Sequence, residues 1–166
     1  MLEDIINQTN EKYRDRHLAL IQKIPTPITP VRMDQQTRQI TLAYFNQCST
    51  VDYIGAVQGI PVCFDAKECQ THNFPIQNIH EHQIVFMQDF EDQGGIAFLI
   101  IYFSRDDRYF YLPYNKLVSF WNRSKTGHEK HFSIDELDPE YEISCNGVLL
   151  HYLEKVQKDI LSRPES

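Results

Sequence analysis

Three side chains between residues 52 and 67 have the types and spacing that metal-dependent cleavage of a phosphodiester requires. Asp65 and Lys67 are two residues apart in a strand-like stretch, so their side chains face the same side. Asp52 belongs to the preceding strand-like stretch, which a hairpin would bring beside Asp65. Carboxylate oxygens are the ligands that Mg²⁺ prefers, and a bound metal ion activates water and neutralises phosphate charge. A lysine at this place can orient the water or stabilise the charge of the transition state.

The same pattern of two aspartates and a lysine also fits an ordinary surface strand with an ion pair. Val62, Phe64 and Ala66 supply an apolar face that alternates with Asp65 and Lys67, which supports a strand under either interpretation. The residues alone therefore leave both interpretations open.

The wider pattern predicts an α/β fold that would position these residues. Helical spacing of apolar residues predicts helices over residues 2–20, 76–90, 116–121 and 148–161. Strand-like runs predict strands over residues 51–57, 60–68, 96–103 and 108–112. The run 96–103 is continuously apolar, which is typical of a buried central strand. This order of elements predicts a mixed sheet flanked by helices.

The segment between the first helix and the first strand has a pattern of its own. Pro25, Pro27 and Pro30 impose an extended backbone. Residues 32–45 are polar at first and alternate later, which predicts a hairpin or a mobile projection. We therefore expect a single domain over residues 1–166, the length typical of one domain, with a stalk inserted at about 31–46.

Composition argues against several classes of protein. Hydrophobic residues make up 42% and charged residues 23%, as in an ordinary globular protein rather than a disordered one. The longest apolar run is too short to span a bilayer, and Glu3 and Asp4 argue against a signal peptide. The four cysteines form no C-x-x-C pair, which is typical of reduced thiols. We expect a cytoplasmic protein that does not associate with membranes.

The charge is unevenly distributed along the chain. A net charge of −7 argues against nonspecific binding of nucleic acid through bulk charge. Residues 12–38 nevertheless contain six basic and two acidic residues, and residues 105–130 contain six basic and three acidic ones. Each of these basic islands fits either a solvated surface or a local nucleic-acid face.

A zinc site is a further interpretation of the histidines and cysteines. His72, His80, His82, Cys63 and Cys69 are all of ligand type. Structural zinc sites usually have paired ligands at short spacing, which this arrangement lacks. His80 and His82 are two residues apart on a predicted helix, so their side chains should point apart. The spacing therefore disfavours zinc.

A nucleophilic thiol and a stacking platform for bases are two further interpretations. Nothing near Cys63 or Cys145 indicates an activated thiol, so we expect inert cysteines. Phe120 and Trp121 are interpreted as core residues rather than as a platform for nucleobases.

The most specific run in the chain is Phe-Pro-x-Gln-Asn-x-His-x-His-Gln-Ile, at residues 74–84. With this run and the segments that follow, the chain resembles RecU, the Holliday junction resolvase family of Gram-positive bacteria and their phages. The further matching segments cover much of the chain: residues 2–10, 23–28, 43–45, 49–55, 64–68 and 120–123.

The resemblance implies a restriction-endonuclease-like core, a homodimer and a stalk that projects from each protomer. It also implies that Mg²⁺, with Mn²⁺ as a substitute, is held by Thr50, Asp52, Asp65 and Gln83. The resemblance also implies that Lys67 acts on the transition state of cleavage. Thr50 and Gln83 enter through the resemblance alone, because their own context is that of an ordinary strand residue and a polar residue on an apolar stripe.

The expected function is structure-selective cleavage of four-way DNA junctions in recombination and repair, by paired cuts. Arg32 and Arg38 would engage the centre or the arms of the junction. The further candidates for phosphate contacts, which position DNA without reading its sequence, are Lys12, Arg14, Arg16 and Lys23.

Two alternatives remain at this point. One is a catalytically weak junction-binding module that modulates a RecA-type recombinase, a partner that the resemblance also implies. The other is a nuclease of the same fold that does not recognise junctions. The sequence departs from the family's usual pattern at Asp65, where the family usually has glutamate. The family also usually carries a basic arm before the first helix, and a longer, more basic segment in the region of residues 27–49.

Overall fold

A six-stranded mixed sheet lies at the centre of the computed structural model, which describes residues 1–45 and 50–165. The α-helices of the described residues are α1 (Leu2–Asp15), α2 (Glu81–Asp92), α3 (Tyr114–Lys125) and α4 (Leu153–Ser162). The strands are β1 (Leu20–Lys23), β2 (Ile28–Met33), β3 (Ile40–Phe45), β4 (Tyr53–Val57), β5 (Ile60–Cys69), β6 (Asn73–Pro75), β7 (Ile96–Phe103), β8 (Arg108–Pro113), β9 (His131–Ser133), β10 (Glu142–Ile143), β11 (Cys145–Asn146) and β12 (Leu149–Leu150). Single 3-10 turns occupy Ile76–Asn78, Ile134–Glu136 and Pro139–Tyr141.

The central sheet has the strand order β1-β4-β5-β7-β8-β10. β5 and β7 are parallel, and the other neighbouring strands are antiparallel. β7 is apolar throughout because helices cover both of its faces. α2 and α3 pack on one face, and α1 and α4 pack on the other. The expected fold class, a central mixed sheet flanked by helices, is confirmed.

Alternate residues of β5 supply the two halves of the core. Cys63 packs with the side chains of α2 and α3, whereas Val62 and Phe64 pack with those of α1 and α4. Asp65 and Lys67 have the parity of Cys63, so strand geometry directs both toward the face that carries α2.

A row of aromatic rings crosses the sheet on the face covered by α1 and α4. Tyr53 stacks on Phe64 at a centroid distance of 4.7 Å, and Phe64 stacks on Phe98 at 4.8 Å. Phe98 stacks on Tyr111 at 4.3 Å, and Tyr111 stacks on Tyr141 at 5.4 Å. One ring from each of β4, β5, β7 and β8 thus contributes to a single stack, which fixes the relative positions of these strands.

A network of charged groups ties α4 to α2. Arg163, which follows α4, contacts both carboxylate oxygens of Glu91 near the end of α2. Its Nε lies 3.1 Å from Asp159 Oδ1, and Tyr111 donates its hydroxyl proton to Asp159 Oδ2. Glu91 also accepts a hydrogen bond from the backbone N–H of Ala97 at the start of β7. The network therefore joins elements from both faces of the sheet.

The predicted helix 2–20 is wrong at its C-terminal end. α1 ends at Asp15, and the chain reverses through His17, which has a left-handed φ of 58°. Leu20–Lys23 then forms β1 and pairs antiparallel with β4. Because that pairing satisfies backbone groups that a longer helix would have used, tertiary structure overrides the helical spacing of Leu20.

The predicted helices 76–90 and 148–161 begin later than expected. The first is interrupted at His80, which has extended φ and ψ of −95° and 146° and precedes α2. The second begins at Leu153, because the preceding residues form the small β11–β12 hairpin around Gly147, with a φ of 65°. The predicted helix 116–121 is longer than expected and forms all of α3.

Residues 28–45 form the β2–β3 hairpin, a two-stranded sheet separate from the central one. The Asp34 carboxylate accepts hydrogen bonds from the N–H groups of Gln36 and Thr37, and Arg38 has a φ of 60°, so the turn is well defined. The predicted stalk thus has the hairpin form and begins before residue 31, while its last predicted residue, Asn46, lies outside the described residues. The hairpin exposes large apolar side chains: Ile28, Val31, Met33, Ile40, Leu42, Tyr44 and Phe45.

None of the helices in the described part of the chain combines the length and hydrophobicity that a membrane-spanning helix requires.

Candidate active site

The pairing of β4 with β5 brings Asp52 beside Asp65. Tyr53 lies opposite Phe64 in the register, so the residue before β4 meets the residue that follows Phe64. Asp52 donates its backbone N–H to Asp65 Oδ1 at 2.9 Å. In return Asp52 Oδ2 accepts a hydrogen bond from the N–H of Ala66 at 3.0 Å. Each carboxylate is therefore held in place by the backbone of the other strand.

Burial makes this pair of carboxylates electrostatically costly. Asp65 is only 1% exposed, and Asp52 is half-buried. Desolvation, followed by the negative charge of Asp65, raises the pKa of Asp52 to about 7. A divalent cation between the two groups would relieve this repulsion, and a donor set made of oxygen atoms suits a hard ion such as Mg²⁺. The residues present therefore fit the expected metal.

Lys67 supplies positive charge to the same group of side chains. Its Nζ lies 2.8 Å from Asp65 Oδ2 and 3.4 Å from Gln83 Oε1. The side chain is 17% exposed, so it is largely screened from bulk water but not fully enclosed. Lys67 is placed where it can contact an anion bound next to the two carboxylates.

Gln83 joins the cluster from the first turn of α2. Its Nε2 donates to Asp65 Oδ2 at 3.0 Å, and its Oε1 accepts from the backbone N–H of His80 at 3.3 Å. The side chain is buried and fully used, with its oxygen toward Lys67 and its nitrogen toward Asp65. For Gln83 and Asp65 to share a metal ion, the amide group must turn so that its oxygen faces Asp65.

Thr50 is the one predicted ligand for which the described part of the chain shows no hydrogen bond to the other four site residues. It lines a surface depression with Glu81, His82 and Asp89 of α2. Within the described ranges, no hydrogen bond joins Thr50 to Asp52. The structure thus brings together four of the five predicted catalytic and metal-binding residues.

The expectation that His80 and His82 point apart is wrong. Their rings stack with centroids 5.5 Å apart and an angle of 10° between the ring planes. His80 precedes α2 and has an extended backbone, so the rotation of 100° per residue in a helix does not apply to it. Across residues 1–45 and 50–165, no three or more His, Cys, Asp or Glu residues are grouped so as to hold a metal ion.

The described cysteines lack signs of activation. Cys63 and Cys69 are buried free thiols, and Cys145 is an exposed free thiol. Burial raises the pKa of Cys63 well above its ordinary value and also raises the pKa of Cys145. A raised pKa keeps a thiol protonated at neutral pH, so neither cysteine is an activated nucleophile.

The predicted DNA-contacting residues are distributed over different parts of the molecule. Lys12, Arg14 and Arg16 lie on or next to α1, which packs on the sheet face opposite α2. Lys23 lies near Asp52 but forms an ion pair with Glu3. The two remaining candidates are exposed on the β2–β3 hairpin: Arg32 and Arg38. Their contacts with DNA stay predictions.

Sequence reasoning did not find Gln83 from its own context. The side chain occupies the third position of α2 and reaches back to the N–H of the residue before the helix, as in a capping box. In that motif the first residue is usually serine or threonine, and here it is His80. The capping-box pattern that could have identified Gln83 was therefore incomplete in the sequence.

Comparisons with known proteins place the chain in a family. The model of the family described as "Recombination protein U" matches residues 1–158. The Holliday junction resolvase RecU of Oenococcus oeni is 43% identical over 133 residues, which cover 78% of this chain and 68% of that protein. The protein of the same name from Geobacillus kaustophilus is 41% identical over 141 residues, which cover 82% of this chain and 70% of that protein.

A search of solved structures found Hjc of Archaeoglobus fulgidus, a Holliday junction resolvase from an archaeal hyperthermophile. It is 10% identical, with a TM-score of 0.45 over 79% of this chain and 88% of that chain. The match of the family model over nearly the whole chain, together with relatives at about 40% identity, shows that the chain belongs to the RecU family.

Proposed function

We propose that this protein is a metal-dependent endonuclease that resolves four-way DNA junctions. The observation that carries the proposal is the cluster of Asp52, Asp65, Lys67 and Gln83 in a member of a family whose relatives are named Holliday junction resolvases. Two buried carboxylates beside a lysine are the groups that cleavage of a phosphodiester needs.

Asp52 and Asp65 hold Mg²⁺ in this proposal, and Gln83 adds an oxygen ligand after its amide group turns. When bound, Mg²⁺ supplies an activated water molecule and neutralises the charge of the scissile phosphate, and Mn²⁺ can replace it. Thr50 is kept as a ligand on the family resemblance alone. The cross-strand hydrogen bonds support this assignment, because they fix both acids before any metal ion binds.

Lys67 acts on the phosphate rather than on the metal. Its ammonium group lies 2.8 Å from Asp65 Oδ2, so a phosphate oxygen bound beside the two carboxylates would meet an oriented donor. Such a donor stabilises the extra negative charge of the pentavalent transition state, and it loses little entropy because its position is already fixed.

A homodimer would place two such sites on opposite strands of one junction. Resolution requires paired cuts, and symmetric dimers are the commonest closed assembly. The large apolar side chains that the β2–β3 hairpin exposes support association, because their burial against a second copy would be favourable. A RecA-type recombinase as partner, and a location in the cytoplasm, belong to the same proposal.

Incubation of the pure protein with a labelled four-way junction tests the proposal. Parallel reactions contain a duplex of matched sequence, and each substrate is assayed with Mg²⁺ and with EDTA. Paired nicks in the junction, dependent on Mg²⁺ and absent from the duplex, are expected. Binding without cleavage would favour the alternative of a junction-binding module, and equal cleavage of both substrates would favour a nuclease that does not recognise junctions.

A further inference from the structure

A cleft near the active site combines an aromatic ring with two exposed cations. It lies between the 3-10 turn that starts at Ile76 and the C-terminal end of α3, and we call it the α3 cleft. Its walls include Ile76, Gln77, Ile79, Trp121, Lys125 and Lys130. Lys125 Nζ lies 4.4 Å from the centre of the Trp121 ring, a cation–π contact that holds the ammonium group over the ring.

The cations of the α3 cleft are not neutralised by neighbouring acids. Arg123 contacts Glu136 at 2.5 Å and Glu129 at 3.6 Å, so it takes up the carboxylates of this region. Lys125 and Lys130 are exposed, and neither forms an ion pair with any residue of the described ranges. The cleft therefore presents local positive charge in a chain whose net charge is −7.

The α3 cleft and the active site lie on the same face of the sheet, the one covered by α2 and α3. Ile79 lines the cleft, and the next residue, His80, donates its N–H to Gln83 Oε1 in the catalytic cluster. The backbone at Ile79, a buried residue of the cleft, therefore leads directly to the residue whose N–H group contacts Gln83. The basic residues of α1, by contrast, lie on the opposite face.

We propose that the α3 cleft binds the sugar-phosphate backbone of the duplex arm that enters the active site. This inference rests on the proposed function and adds to it a DNA-binding surface within the second basic island, residues 105–130. Lys125 and Lys130 would each contact one phosphate, and Gln77 can donate a hydrogen bond to a third. Phosphate contacts position DNA without reading its sequence, so we expect the cleft to bind any duplex arm.

The fluorescence of Trp121 reports directly on DNA binding in the α3 cleft, because Trp121 is the only tryptophan in the chain. Saturating amounts of an unlabelled four-way junction, with Ca²⁺ in place of Mg²⁺, should change Trp121 emission and protect it from quenching by iodide. A duplex of matched sequence should protect it as well. Added salt should abolish this protection from iodide. The salt concentrations required should match those at which a labelled junction dissociates from the protein, as measured by fluorescence anisotropy.

Charge removal tests the same surface by a second route. In Lys125→Ala/Lys130→Ala the slope of log affinity against log salt should become shallower by about 1.8, because each phosphate that is no longer neutralised changes the slope by about 0.9. Affinity at 0.1 M salt should fall roughly tenfold or more. The matched control is Lys155→Ala/Lys158→Ala on α4, which removes the same charge from the other sheet face and should leave the slope nearly unchanged.

The outcomes separate the α3 cleft from the proposed function. If the junction binds but Trp121 emission and iodide quenching do not change, the cleft is not a DNA surface, while junction binding stands. Equal loss of affinity in the two double variants would likewise overturn it, since bulk charge would then explain the effect. If the wild-type protein binds neither junction nor duplex by anisotropy, the proposed function itself fails, and the inference fails with it.

Discussion

Asp52 and Asp65 are coupled through the backbone, because each carboxylate accepts a hydrogen bond from the strand that carries the other. Asp52→Asn keeps an oxygen acceptor for the N–H of Ala66 but removes one negative charge and one metal ligand. Cleavage of a labelled junction should fall by at least about a hundredfold, because the metal ion and its activated water are lost. Junction affinity, measured by anisotropy, should change little.

Lys67→Met is the companion substitution, since it keeps the aliphatic stem and removes the ammonium group. It should also reduce cleavage by about a hundredfold or more while binding persists. Cleavage at nearly the wild-type rate by either variant would remove the proposed site.

The aspartate at position 65, where the family usually has glutamate, leads to a second prediction. Aspartate is one methylene group shorter than glutamate, so we expect Asp65 to fit the strict octahedral geometry of Mg²⁺ less well than the geometry of Mn²⁺. Cleavage should therefore be faster with Mn²⁺, and the ratio of the Mn²⁺ rate to the Mg²⁺ rate should be smaller in Asp65→Glu. The additional methylene group enters a position that is 1% exposed, which should cost about 1–3 kcal/mol of unfolding free energy. Rates in the two metals and urea unfolding measure the two effects.

Asp159→Glu is the control for this prediction, because Asp159 is also buried but contacts Tyr111 and Arg163 instead of the active site. It should lower stability without changing the rate ratio. An unchanged ratio in Asp65→Glu would show that the length of this side chain does not set the choice of metal.

At the scale of elements, long segments with a regular apolar pattern were predictable from the sequence. Short strands that depend on pairing with another strand were not. β7 followed from its continuous apolar run, because a strand covered by helices on both faces has no polar side. β1 did not, since its four residues are mostly exposed and only pairing with β4 makes them a strand. Asp52, Asp65 and Lys67 followed from their spacing. Gln83 needed the family resemblance, because tertiary packing alone brings α2 to β5.

The β2–β3 hairpin leads to a prediction about selectivity. Deletion of residues 34–38 removes the turn and Arg38 but no buried side chain. The urea midpoint and the far-UV circular dichroism spectrum should therefore stay close to those of the wild type. The preference for a junction over a matched duplex should fall, because the hairpin would no longer reach the junction. An unfolded deletion variant would show instead that this segment belongs to the core.

The link between α4 and α2 leads to a prediction about stability. Arg163→Ala leaves the buried carboxylates of Glu91 and Asp159 without their cation, and we expect a loss of about 2–3 kcal/mol of unfolding free energy. The value is set below that of a fully buried pair because Arg163 is 28% exposed. The control Lys158→Ala breaks the exposed pair with Glu140 and should cost less than about 1 kcal/mol. Equal costs in urea unfolding would contradict this account.

At the scale of the whole molecule, the paired cuts of resolution lead to a prediction about assembly. Light scattering at the concentrations that support cleavage should give about twice the chain mass of 19.6 kDa. The exposed apolar side chains of the hairpin, among them Leu42, Tyr44 and Phe45, agree with association. A stable monomer that still makes paired cuts would contradict the proposed arrangement of two sites.

The row of stacked rings across the sheet has a consequence for how the molecule opens. Tyr53 and Phe64 of that row directly follow Asp52 and directly precede Asp65, so each acid is adjacent in sequence to a residue whose ring is locked into the stack. Amide hydrogens in such core strands exchange with solvent mainly through the rarest and largest openings. The N–H groups of Asp52 and Ala66, which close the cross-strand bonds, should thus be among the slowest to exchange. We therefore expect the two acids to separate mainly in openings that also disrupt the row of stacked rings.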